Sequence, residues 1–166
     1  MTEPFNGTRS MICTAATVFA RLALAAGFLS AVADRFGLWG DAGTNQVGWG
    51  NFDAFTRYVQ TLAPYLPTAS VTATAWGVTV IEVLLGVTLL VGVKIRWAAL
   101  GSAATLLVFA VSMFVFSGFE TPLSASVFTA AAAALLLTLT PPASHTFSLD
   151  RLLVSGRTPV GADSPG

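Results

Sequence analysis

Apolar positions gather into long unbroken runs along this chain, and polar positions fall between them. Met11–Ala33 is apolar except for Arg21, Ser70–Val93 except for Glu82, Trp97–Phe119 carries no charge, and Leu123–Thr140 is rich in alanine. Runs of roughly 18–24 residues match the hydrocarbon thickness of a bilayer. Each therefore reads as a spanning helix. Lys94-Ile95-Arg96 and Ser117–Pro122 are short turns, which make the last three spans antiparallel neighbours. The expected fold is all-α: an integral membrane four-helix bundle, with residues 11–142 as one transmembrane domain. Residues 1–10 read as a polar N-tail. Residues 143–166 read as a flexible C-tail with one interfacial turn at Phe147–Val154.

The connection between the first two runs is long, Asp34–Thr68. Glycines break its first half. In its second half Phe52, Phe55, Val59 and Leu62 recur at helical spacing. Asn51 suits the N-cap, Asp53 and Arg57 form an i,i+4 pair, and Pro64 ends the pattern. With Trp39, Trp49, Tyr58 and Tyr65 nearby, the segment reads as a long extracytoplasmic loop whose short amphipathic helix suits a membrane–water interface and could cap the bundle.

Composition agrees with a membrane protein. Of 166 residues 54% are hydrophobic and 10% charged, where soluble domains carry about 25% charged residues. Arg21 interrupts the first apolar run, which argues against a signal peptide. Formal net charge is zero, so nothing favours nucleic acid as a partner; the partner composition implies is the lipid bilayer. With one cysteine, Cys13, and one histidine, His145, a single chain offers no disulfide, no thiolate cluster and no metal or haem ligand set. Any redox cofactor would have to be borrowed. Basic residues set the orientation: Arg9, Lys94, Arg96, Arg151 and Arg157 lie on one side, Arg35 and Arg57 on the other. The richer side is cytoplasmic by the positive-inside rule, so both termini are expected there.

Glu82 is the residue that most needs a partner, because a charge at bilayer depth costs at least a few kcal/mol. Arg21 lies ten residues past Met11 and Glu82 eleven before Val93, so on matched helix ends both sit ~15 Å from the same surface. Pairing of Arg21 with Glu82 is the simplest expectation. Thr79 and Gly86 flank Glu82 on its face, and Ser102, Thr105 and Ser112 form a stripe that could face the pair. Three readings stay open: an ion pair that fixes helix register, a site for a ligand or proton relay, or an Arg21 that snorkels to the surface. Asp34 and Arg35 read as an interfacial charged pair, or as the rim of a pocket under Trp39, Trp49 and Tyr58.

These residues carry a family likeness. Arg21-Leu22-Ala23-Leu24, then Ala31-Val32-Ala33-Asp34-Arg35-Phe36-Gly37-Leu38-Trp39-Gly40, Trp49-Gly50-Asn51-Phe52, Glu82 before Leu85-Gly86, Arg96-Trp97-Ala98-Ala99, and Pro122-Leu123 with Ser126-Val127-Phe128 follow in order. In these the chain resembles the DoxX family of small bacterial four-helix membrane proteins. The resemblance implies the bacterial inner membrane and a link to quinone reduction, since the family name comes from a subunit of a thiosulfate:quinone oxidoreductase. It implies a quinone as cofactor and a soluble or membrane redox partner. On that reading Glu82 would relay a proton and Arg21 would stabilise the charge of reduced quinone, unless the two are a structural ion pair, and Asp34, Arg35, Trp49, Asn51, Tyr58, Thr79 and Thr105 would be the ligand-binding set. A non-enzymatic membrane anchor and a small-molecule carrier are the rival functions, and assembly into an oligomer is open.

Overall fold

A computed structural model of the protein describes residues 3–44 and 47–140. It is entirely helical among the described residues: α1 Glu3–Arg35, α2 Phe52–Leu62, α3 Thr68–Val91, α4 Ile95–Phe116, α5 Glu120–Ser124 and α6 Val127–Thr138. Met11–Arg35 of α1, together with α3 and α4, is long and apolar enough to cross a membrane, while α6 is a shorter apolar helix. The expected C-terminal turn at Phe147–Val154 lies outside the described residues.

The molecule is inside-out relative to a soluble protein. Ile81, Leu84, Val87 and Leu90 of α3 and Leu100, Val108, Val111 and Val115 of α4 are exposed. Thr17, Arg21, Asp34, Arg35, Thr79, Glu82 and Ser102 are buried. A lipid-facing surface of this kind needs no polar groups, and charges are tolerated only where they face protein.

α1 packs chiefly on α3, and α4 on α6; α3–α4 and α1–α6 contacts join the two pairs. Glycine and alanine allow the close approaches. A Cβ on Gly86 would lie 2.9 Å from Leu29 Cγ and 3.4 Å from Phe28 Cβ, so α1 sits against the bare backbone of α3.

Several boundaries move. The first helix begins at Glu3, not Met11, so residues 3–10 continue α1 instead of forming a separate tail. α3 begins at Thr68 with Pro67 as its N-cap and no side-chain cap; Ser70 Oγ instead donates to the Pro67 carbonyl at 2.8 Å. It ends at Gly92, whose φ of 77° suits the left-handed cap position. The third span begins two residues early and ends at Phe116. The fourth apolar run is broken: Ser126, at φ 55°, separates α5 from α6.

α2 starts where the Asn51 side chain accepts from the Ala54 amide at 2.8 Å. It lays Phe55 and Val59 on Val71 and Ala75, in the first turns of α3, with Trp49 and Phe52 beside them. The apolar face of α2 is thus spent on protein. Phe52 and Trp76 stack at 4.3 Å between centroids, and Phe36 joins them at about 6 Å.

Candidate functional site

Arg35 ends α1 and is 1% exposed. Its Nη1 lies 2.5 Å from Glu82 Oε2 and donates to Thr79 Oγ1 at 2.9 Å. The Thr79 hydroxyl in turn donates to the Ala75 carbonyl at 2.8 Å. The guanidinium carbon rests 3.6 Å from the centroid of the Phe55 ring and 5.2 Å from that of Trp49. α1, α2 and α3 therefore converge on one cation. A carboxylate, a hydroxyl and two aromatic faces surround it, and burial without them would be prohibitive. Arg35 Nε is buried with no hydrogen-bond partner among the described residues.

The expected partner of Glu82 was Arg21, and the ion pair is made by Arg35 instead. The cause is a stagger. Leu29 meets Gly86 and Arg35 meets Thr79, so antiparallel register carries Arg21 to the level of Lys94. That is twelve residues past Glu82 and beyond the end of α3, roughly 18 Å away at helical rise. α1 ends well short of the start of α3, and α2 fills the space above it. At that level the Arg21 side chain is covered by protein, 3% exposed.

Asp34 and Arg35 do not pair with each other. The Asp34 carboxylate accepts from three successive amides: Gly48 (3.0 Å), Trp49 (2.8 Å) and Gly50 (3.4 Å). Gly50 has φ 68°, and a Cβ there would meet the Ala42 amide nitrogen at 2.3 Å, so only glycine fits this fold of the loop. Asp34 shapes the loop; Arg35 reaches the core.

A cavity of about 640 Å³ lies beneath this cluster, between α1 on one side and α4 and α6 on the other. Arg35, Glu82, Trp49, Phe55 and Tyr58 line its polar end. Ala23, Gly27, Phe28, Leu106, Phe109 and Ala130 are among its apolar walls. That volume is typical of small-molecule sites, as is a largely apolar wall with a few convergent polar groups. Tyr58 stands on α2 at the wall shared with a second, shallower pocket that Arg57 and Thr61 also line. Burial raises the Tyr58 phenol above its ordinary pKa of 10.0, with the nearby Ser117 side chain opposing.

Of the sequence-derived set, Glu82, Arg35, Trp49, Tyr58 and Thr79 meet at this site. Asp34 supports it from behind. Asn51 is an exposed helix cap. Thr105 and Ser102 do not reach the pair: Ser102 donates back to the Ala98 carbonyl of its own helix, and neither lines the cavity. Trp39 lies outside as well, donating to Ser30. Phe55 is the residue that sequence reasoning assigned to packing alone. Its helical spacing gave its burial but not its contact with a cation. Among the described residues no cluster of histidine, cysteine and acidic side chains could hold a metal ion.

A family comparison decides what kind of protein this is. The DoxX family model matches residues 16–114, well over half of the chain. The chain belongs to the DoxX family. The matched stretch holds every residue of the Arg35–Glu82 cluster and leaves out α5 and α6. No curated protein and no solved structure gives a match. Family membership accounts for the membrane character, and the cavity must be read on its own chemistry.

Proposed function

We propose that this DoxX-family membrane protein is a quinone-binding accessory subunit of a membrane redox system, with the head of the quinone at the Arg35–Glu82 end of the cavity. The observation that carries this reading is the buried ion pair at one end of an otherwise apolar space of about 640 Å³. The residues fit such a group. Its carbonyls need donors, and Arg35 has a buried Nε with no partner, where buried polar groups are ordinarily satisfied. Its ring needs flat apolar neighbours, which Trp49 and Phe55 provide.

When bound, a quinone supplies two-electron redox chemistry that no side chain here can perform. The chain supplies the rest. Arg35 donates to a carbonyl oxygen and opposes negative charge there. Glu82, at rest the counter-ion of Arg35, relays a proton through a carboxylate oxygen beside it. The apolar walls exclude water, and Asp34 fixes the loop that carries Trp49. Electrons come from a soluble or membrane partner. In this reading α5 and α6 complete a four-helix bundle within one transmembrane domain in the bacterial inner membrane. Both termini are cytoplasmic, and α2 caps the opposite face.

The test is extraction. Protein purified from membranes in mild detergent should carry quinone, identified by its ultraviolet spectrum, and Arg35→Ala and Glu82→Ala proteins should lose it. Wild-type protein that retains no quinone and binds none when it is added back would leave the anchor function as the better reading.

A further inference from the structure

Resting on that reading and narrowing it, we propose that the cavity opens sideways into the bilayer along the α1–α6 seam and takes a long-tailed amphiphile with an uncharged, hydrogen-bond-accepting head.

The head is argued from charge. Arg35 already has its counter-ion in Glu82, 2.5 Å away. A carboxylate or phosphate head would bring a further negative charge into a low-dielectric space with nothing left to balance it. A neutral carbonyl needs only a donor.

The tail is argued from shape. From Arg35 the wall descends α1 through Ala31, Gly27, Ala23 and Ala20 to Phe19. Those sixteen residues span ~24 Å. A wall of that length, almost wholly apolar, suits an extended hydrocarbon tail.

The opening is argued from exposure. Phe19, at the far end, is 74% exposed. Ala23 and Gly27 on α1 and Thr129 on α6 are exposed while lining the same space. A Cβ on Gly27 would meet no atom within 4 Å, so the two helices do not close on each other there. By the register of α1 on α3, Gly27 lies level with Thr88 inside the span, so there the opening meets acyl chain, while Phe19 lies level with the Lys94–Arg96 turn at the membrane boundary.

The experiment uses the full chain in phosphatidylcholine nanodiscs and follows quenching of tryptophan fluorescence. The probes are a decyl-tailed benzoquinone, the same ring without a tail, and a long-chain fatty acid as competitor. Gly27→Leu and, separately, Thr129→Leu narrow the seam at positions with free space or exposure. Unchanged thermal melting confirms that each variant folds. The expected result is tailed-quinone affinity lowered about tenfold or more, tail-less affinity held within about twofold, and little competition from the fatty acid. Equal binding of the tailed quinone by wild type and both variants overturns the lateral opening and leaves the quinone reading standing. Fatty acid competing as well as quinone overturns the neutral head. Variants that dissociate a dimer without touching binding make the seam a self-interface and overturn the proposal. Wild type that binds neither quinone sinks this proposal together with the function it rests on.

Discussion

Asp34 and Arg35 are adjacent in sequence and send their charges apart: Asp34 gathers the amides of residues 48–50, and Arg35 turns inward to Glu82. One residue folds the loop while the next anchors two helices. Trp49 ties the tasks together, since its amide is held by Asp34 and its ring lies 5.2 Å from the Arg35 guanidinium.

The ion pair should behave as a unit. Removing one partner of a buried pair leaves an uncompensated charge and costs about 3–5 kcal/mol, whereas replacing both with apolar groups is often neutral. Glu82→Leu and Arg35→Met should each lower the melting temperature in detergent, and the double variant should recover most of the loss. Additive losses would show that the two charges are not coupled.

Asp34→Asn keeps the shape and removes the charge. Hydrogen bonds to a charged acceptor are worth about 1.5–3 kcal/mol, so the loop should loosen before the bundle does. Amide hydrogen exchange at Gly48, Trp49 and Gly50 should accelerate while α4 stays protected. Unchanged exchange at those amides would contradict the capping role.

How much of this was legible in the chain follows from what each residue depends on. The first three apolar runs, the Asn51 cap and the apolar face of α2 rest on local pattern, and they appear as helices, a cap and a packed face, with the helix ends shifted. The partner of Glu82 rests on how far α1 slides against α3, and a uniformly apolar helix carries no mark of its own depth. The apolar face of α2 pointed to a membrane interface or a cap on the bundle, not to the first turns of α3, where Phe55 and Val59 fill the space α1 leaves free. Asp34-Arg35 stood out as a charged dipeptide, yet nothing local says that neighbours will point to different places. The break at Ser126 was illegible for a similar reason: serine at φ 55° is set by its surroundings.

Two glycines of α3 should respond oppositely to alanine. At Gly86 the new methyl would press on Leu29, and overpacking costs about 1–3 kcal/mol. At Gly77 it meets nothing within 4 Å, and helix propensity favours alanine by about 1 kcal/mol. Melting temperatures should fall for Gly86→Ala and hold or rise for Gly77→Ala. The reverse order would mean that α1 and α3 do not touch at Gly86.

Tyr58 should ionise late. Burial disfavours the phenolate, so the folded state holds the neutral phenol above the ordinary value of 10.0. A raised folded pKa contributes stability below pH 10 that is lost as pH climbs through the folded value. In a Tyr65→Phe background the phenolate absorbance of Tyr58 should therefore develop above pH 10. Its appearance below that would place the hydroxyl in water.

Arg35→Lys retains the charge but not the plane. The ammonium cannot lie flat on Phe55 while also serving Thr79 and Glu82, and cation–π contacts are worth about 0.5–2 kcal/mol. Melting should fall by less than for Arg35→Met. Equal loss would mean that the stacking on Phe55 and the charge are inseparable.

The place of Arg35 at the last position of α1 also bears on how the chain can be threaded into a bilayer. Synthesis delivers α1 before α3, and the polar loop that follows Arg35 lets its guanidinium wait near water. Glu82, buried mid-helix, has no such refuge and would enter hydrocarbon at a cost of a few kcal/mol if alone. Because α1 comes first, the acid enters after its cation has been made, and the charge at a helix end can escort the charge at mid-helix.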